Sequence, residues 1–343
     1  MVGKKFPLIT NLKEKPSCFS KTIQLIEKSF KYDGPQSFIK DFAPLVAPEN
    51  HQNCYILIDE NENVLAHIGV KEKNISVNGK NFLVSLLGGI AVDETQRGKG
   101  HFQTLMQDVL AEKRSDSAFF LLWSDLEKLY QKFGFYLCGD QFELSETNGE
   151  KNFVKTKYFS LSSQEKKDVH FLYENSFCKT YLTLKRDDED WKSIEAIESA
   201  DLYIKKEHEK ITSYFFMNKG QDLSGVIYEY ADLKDLKKFM QEIRCYGKVW
   251  MGAPLLETDN IQFQFFMSPG DTKLLSSFIN ELTKGQILIR DINIMKQEVY
   301  FDFGGEVLAL ETQDFLRGIF GPGIFEELGV ELKPIFLSGL DSI

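Results

Sequence analysis

The chain passes twice through one order of elements, and this repetition constrains its fold more than any other feature. In the first pass CYILID at 54–59 reads as a short apolar strand, Glu60–Asn63 as a polar turn, and Val64 to Val70 as the partner strand. Asn78-Gly79 lies between alternating apolar residues, and both turn positions of such a hairpin need positive φ. The returning strand runs through Phe82–Val92. A helix follows, with Phe102, Leu105, Met106, Val109 and Leu110 on one stripe. Then come the strand SAFFLLW, a helix over SDLEKLYQKF and a closing strand from Phe135 to Leu144. Ser124 and Glu127 have the spacing of a capping box for that helix. The second pass repeats the order: DLYIKK, the turn EHEK, ITSYFFM, the strand LSGVIYEY, a helix and the strand KVWMGAP. Its helix carries Leu233, Leu236, Phe239, Met240 and Ile243 on one face. A helix after Pro16, bearing Ile23, Ile26 and Phe30, precedes the first pass; helices over 164–176 and DDEDWKSIEAI precede the second.

Strands and helices alternate around an antiparallel hairpin, which predicts an α/β (α+β) fold with a mixed sheet, duplicated. The 343 residues suit two domains at ~150 residues each, with an added piece. The polar stretch ETNGEKNFVKT at 146–156 marks the boundary. The expected division is 1–148, 155–268 and a C-terminal extension, 269–343, packing on the pair. That extension contains the helix LLSSFINEL, a hairpin of QILIRDIN with EVYFDF, and the segment GPGIFEELGVELKPIFLSGLDSI.

The chemistry concentrates in Gly88 to Phe102 (GGIAVDETQRGKGHF). A strand runs into a glycine-rich basic loop that opens a helix. Such a loop turns successive backbone N–H groups inward, and the helix terminus adds free donors and the positive end of its dipole. Arg97 and Lys99 add formal charge, so this is an anion site. Glycines occur only at 98 and 100 within the loop, which excludes a Rossmann fingerprint; Lys99 is not followed by Ser or Thr, which excludes a Walker A loop. Gly88-Gly89 suits a bulge in the preceding strand.

Composition narrows the partners. Lys and Arg number 41 against 51 Asp and Glu, a net charge of -10, which argues against wrapping nucleic acid. Five dispersed cysteines (Cys18, Cys54, Cys138, Cys178 and Cys245) suit no zinc or CxxC site and point to a reducing cytoplasm. The N-terminal MVGKKFPLITNLKEKP has no apolar signal-peptide region, and the apolar run around Phe82–Val92 is too short to cross a membrane. No metal and no membrane partner is expected.

The loop Arg97-Gly98-Lys99-Gly100-His101, with Phe102 in the last place, resembles the pyrophosphate loop of the GNAT superfamily of acetyl-CoA-dependent N-acetyltransferases. Leu129-Tyr130-Gln131-Lys132-Phe133-Gly134-Phe135 resembles the family's L-Y-x-x-x-G-F. The resemblance covers residues 5–145. It implies the GNAT fold, acetyl-CoA as cosubstrate, and direct transfer to a primary amine in a ternary complex. It implies cofactor contacts from Ile90, Ala91, Val92, Arg97, Gly98, Lys99, Gly100, His101 and Phe102. It also implies that Tyr130 donates a proton to the departing thiolate. The second pass has no such loop: at its junction Glu229 and Asp232 would repel a pyrophosphate, and Asp232 reads as a helix N-cap. One intact module followed by one degenerate module resembles the enhanced-intracellular-survival family, whose members acetylate aminoglycosides and lysine amines. The acceptor is thus a small-molecule or lysine-type amine of undetermined identity.

Phe82–Val92 offers no Asp or Glu as general base. His67 reads as a hydrogen-bonded strand residue, and Asp93 as a loop residue. The last ten residues, Pro334 to Ile343, contain only one charged side chain, Asp341, which predicts a docked tail. In the tandem family the terminal carboxylate reaches the catalytic module, which makes Ile343 a candidate base. Two other readings remain open: a catalytically silent acyl-CoA-binding pair, and an aminoacyl-tRNA-dependent transferase.

Overall fold

The structure is a computed structural model and describes residues 7–33, 35–258, 260–293, 296–321, 325 and 329–343. The first six residues of the N-terminal stretch, and 322–324 and 326–328 of the terminal segment, lie outside the described residues.

β1 (Leu8–Asn11) leads into α1 (Phe19–Ser29), α2 (Phe38–Asp41) and α3 (Ala43–Val46). β2 (Cys54–Ile58), β3 (Val64–Val77) and β4 (Lys80–Val92) form an antiparallel meander. Asn78 and Gly79 turn the hairpin with φ of 50° and 82°, as the sequence pattern requires. α4 (His101–Lys113) crosses to β5 (Phe119–Leu122), parallel to β4, and α5 (Glu127–Tyr130) leads to β6 (Tyr136–Leu144). Leu105, Met106, Val109 and Leu110 bury α4 against the sheet, while α1 covers the opposite face.

β7 (Val154–Thr156), α6 (Ser163–Leu172), α7 (Cys178–Thr180), β8 (Leu184–Lys185) and α8 (Asp188–Glu195) introduce the second half. The helix expected over 164–176 is α6 followed by a π-turn through Phe177. β9 (Asp201–Glu207), β10 (Lys210–Met217) and β11 (Val226–Asp232) repeat the meander. α9 (Leu236–Ile243) crosses to β12 (Lys248–Met251), parallel to β11, and β13 (Asn260–Pro269) follows. Asp235, not Asp232, caps α9: Asp232 ends β11 and takes the amides of Lys234 and Asp235, which leaves Leu233 exposed ahead of the helix.

The two halves exchange their closing strands. β13 lies between β5 and β6, and β6 lies between β13 and β12, so each half's last strand completes the other's part of one 13-stranded sheet. Residues expected to end the second unit therefore sit in the sheet of the first. Alternation along β13 explains the fit: Phe265 and Met267 enter one core, and Phe266 enters the core beside α4. α10 (Thr272–Leu282), a small sheet of β14 (Ile287–Asn293), β15 (Glu298–Phe303) and β16 (Glu306–Glu311), and α11 (Thr312–Phe320) complete the chain. β16 was not evident in the sequence. No described helix is long and apolar enough to cross a membrane.

Candidate active site

The parallel ladder of β4 with β5 consists of Ser85↔Phe120 and Leu86↔Leu121. β4 then runs on to Val92 without β5, which opens a wedge in the sheet. A bulge falls at this point: His67 pairs with Ala91 and Gly69 with Gly88, so Gly89 and Ile90 oppose Ile68 alone. Gly89 takes φ of +58°, and a Cβ there would lie 3.2 Å from both His67 and Phe38, so both the turn and the packing require glycine. His67 is fully buried and burial pushes its imidazole down to about 4. The neutral ring donates from Nδ1 to the Gly89 carbonyl at 2.7 Å.

The wedge opens into a cavity of about 1070 Å³. Ile90, Ala91 and Val92 line one side, and Arg97, Gly98, Gly100, His101 and Phe102 line the mouth. Gly98 and Gly100 have φ of +77° and +81°, with open space where side chains would lie. Gly100 is the N-cap of α4 and no side chain caps that helix, so its first-turn donors lack a side-chain partner beside the cavity-lining residues Gly100, His101 and Phe102. Lys99 itself does not line the cavity; its ammonium donates at 2.8 Å to Gln96, which does. Asp93 is a loop residue as expected, its carboxylate held low by Thr95.

Tyr130 closes the inner end and is 5% exposed. Phe102, Phe135 and Phe266 pack around its ring, with centroids 6.0, 6.2 and 5.8 Å away. Burial pushes the phenol up to about 12, against a hydrogen bond with Ser124 that lowers it. The expected capping box is not formed. α5 begins at Glu127 behind Leu126, and the Ser124 hydroxyl accepts from the Leu126 amide at 3.1 Å beside the phenol. The serine is drawn to the buried polar group rather than to the helix end.

Phe38 and Phe42, 4.9 Å apart, continue the wall from the bulge toward the second half. Ile343 lies at the same place: a Cβ on Gly88 would overlap its main-chain carbonyl carbon and oxygen. The tail is docked, with Phe336, Leu337, Leu340 and Asp341 all buried.

Sequence reasoning missed the groups that hold this tail. Arg186 is fully buried and forks between Glu229 (3.1 and 2.6 Å) and Asp341 (3.2 and 2.7 Å). Burial lowers the guanidinium, but Asp341 and Glu229 outweigh it and hold it well above its usual value. Glu229 therefore neutralises an internal cation rather than merely repelling an anion. Lys219, 1% exposed, also lines the cavity; burial pushes its ammonium down to about 7, while Asp341 and Asp41 oppose the shift. Asp341 was the visible signal, a single charge in an apolar tail; Arg186 and Lys219 carried none.

A parallel strand pair that parts over an uncapped helix N-terminus, with a buried phenol at the inner end, is the cleft of an acyltransferase. Residues 13–138 match the family model described as an acetyltransferase (GNAT) domain. No curated protein matches the chain. Among solved structures, the chain resembles a probable N-acyltransferase from Enterococcus faecalis V583, with 12% identity, TM-score 0.62, and coverage of 98% of this chain and 99% of that one. Eis1 from Mycobacterium abscessus aligns with 9% identity and TM-score 0.59, over 97% of this chain and 99% of that one. N-myristoyltransferase from Saccharomyces cerevisiae, solved with bound myristoyl-CoA, aligns with 12% identity and TM-score 0.51, over 78% of this chain and 84% of that one. At these identities the likeness is one of fold.

Proposed function

We propose that the chain is an acetyl-CoA-dependent N-acetyltransferase that acetylates a primary amine by direct attack in a ternary complex. The observation that carries this reading is the convergence of the β4/β5 wedge, the RGKG loop and Tyr130 on one cavity. The cosubstrate supplies an activated acyl group as a thioester. Arg97 and the amides of Gly98, Gly100, His101 and Phe102 hold its pyrophosphate, and Lys99 adds positive charge to the loop. Backbone groups of Ile90, Ala91 and Val92 pair with the pantetheine arm, and an N–H there polarises the carbonyl oxygen. Tyr130 gives its proton to the departing thiolate. The acceptor enters along Phe38 and Phe42, and the carboxyl group of Ile343 takes the proton from its amine.

The test is a thiol-release screen with acetyl-CoA across polyamines, aminoglycosides, amino acids and lysine peptides. Coenzyme binding without turnover on any amine supports a silent acyl-CoA-binding pair; no affinity for coenzyme A supports transfer from aminoacyl-tRNA. Calorimetry should find one coenzyme A per chain, and Arg97→Glu should weaken it at least ~10-fold, because a reversed charge then faces the pyrophosphate. Unchanged affinity removes Arg97 from the site. Residues added after Ile343 should displace the carboxyl group from Gly88 and lower kcat, with coenzyme A still bound. A folded, extended chain with normal kcat excludes that carboxyl as the base.

A further inference from the structure

We propose that Lys219 and Arg186, both from the second half, are positioning residues that hold residues 335–343 in the second half's own cleft, so that the chain's tail fills there the space given to the coenzyme in the first half. The inference rests on reading the first cleft as the acyl-CoA site.

The two clefts correspond strand by strand. The β11/β12 ladder consists of Val226↔Lys248 and Ile227↔Val249, two pairs as in β4/β5. A register shift follows the ladder in both halves: Phe216 pairs with Glu229 and Met217 with Ile227, leaving Tyr228 as the extra residue directly after the ladder, where in β4 the bulge at Gly89 and Ile90 begins three residues beyond it. In the first half the chain beyond this point leads to open glycines. In the second half it meets the tail. A Cβ on Gly339 would lie 2.6 Å from Leu223 and Tyr228, and one on Gly252, just past β12, 2.5 Å from Phe336. The tail backbone is paired as it passes. The Leu182 amide donates to the Pro334 carbonyl at 2.8 Å, and the Phe336 amide to Leu182 at 3.0 Å. Gln264 on β13 accepts from the Leu337 amide at 3.1 Å and donates to its carbonyl at 3.0 Å.

Two cations then fasten the end. Arg186 binds Asp341 while Glu229, on β11, binds the other side of the same guanidinium. The Lys219 ammonium donates to the carbonyls of Gly339 (2.8 Å), Leu340 (3.4 Å) and Ser342, and contacts the Ser342 hydroxyl at 3.3 Å. It also lies 4.6 Å from the centre of the Phe42 ring, which belongs to the first half and lines the cavity. An ammonium has three donors and no acceptor, so it suits carbonyls that converge where the chain turns. The carbonyls of Gly339 and Leu340 are buried, and a neutral apolar side chain in place of Lys219 would take this partner from them. Lys219 thus joins the second half, the tail and the acceptor wall at one point, next to where Ile343 meets Gly88.

The test uses the full chain, with hydrogen exchange across 335–343, coenzyme A calorimetry and thiol-release kinetics. In the native protein the tail should exchange as slowly as β10 and β11. In Lys219→Met it should exchange at least ~10-fold faster, with kcat at least ~10-fold lower and the Kd for coenzyme A within about twofold. Asp341→Asn, which leaves Arg186 paired with Glu229, should loosen the tail in the same direction. A merely structural lysine would instead raise exchange throughout the sheet and weaken coenzyme binding as well, and that result overturns the proposal. So does an unprotected native tail, an unchanged tail in Lys219→Met, or a loosened tail at unchanged kcat. If Lys219→Met does not fold, the native exchange pattern and Asp341→Asn decide. A native protein that binds no coenzyme A overturns the reading of the first cleft, while the exchange data still decide whether the tail is held.

Discussion

Tyr130→Phe is expected to lower kcat by about 10²–10⁴-fold, the usual contribution of a general acid, while coenzyme A binds as before. The ring is held by Phe102, Phe135 and Phe266, so removing one oxygen leaves the packing in place. On the proposed mechanism, what is lost is the proton donor to the departing thiolate, an interaction realised in the transition state and not in the ground state. Because burial pushes the phenol up to about 12, the native enzyme should show no alkaline loss of kcat from this group below about pH 10. Single-turnover kinetics check the claim. A variant with native kcat, measured where chemistry limits the rate, makes Tyr130 a packing residue only.

Arg186→Met should cost about 3–5 kcal/mol of folding stability at neutral pH, read from denaturant unfolding. The side chain is fully buried between Glu229 and Asp341, and its removal leaves two carboxylates side by side out of water. Neither finds an equivalent cation: Lys219 already serves the tail carbonyls, and Tyr214 offers Glu229 one hydroxyl at 2.9 Å. In the variant, burial and mutual repulsion raise the carboxyl pKa values in the folded state above those of the unfolded chain. The folded variant then binds more protons than the unfolded one, so its stability rises as pH falls. The deficit against the native protein should therefore shrink on acidification from pH 7 toward about pH 5. A loss that stays constant over that range, or one below about 1 kcal/mol, means that the site is not a charge-balanced cluster in the folded chain.

The first half was the more legible in the sequence because its signals are local. Asn78-Gly79 needs positive φ at adjacent positions, and Gly98 and Gly100 do as well, so glycine and asparagine mark those turns without help from distant residues. The stripe of Leu105, Met106, Val109 and Leu110 is a period, and a period announces a buried face. The repeat was legible for the same reason: order and periodicity survive when residues diverge. The errors came where a side chain had two partners to choose from. Ser124 could cap a helix or approach a buried phenol, and Asp232 could start α9 or close the turn before it; spacing alone ranks neither choice.

What the sequence determined by itself was therefore the order of the main elements, the glycine turns at 98 and 100 before α4 and the docked character of the tail. Tertiary structure alone decided the exchange of β6 and β13, because the edge each strand joins is set by pairing with distant segments and not by the pattern within the strand. It also decided that Glu229 should face a cation. That pairing joins Arg186 to residues 43 and 155 positions away, and no local pattern encodes contacts over such separations. A buried charge is stable only where folding brings its partner, so its role is written in the assembled core and not in the run of residues around it.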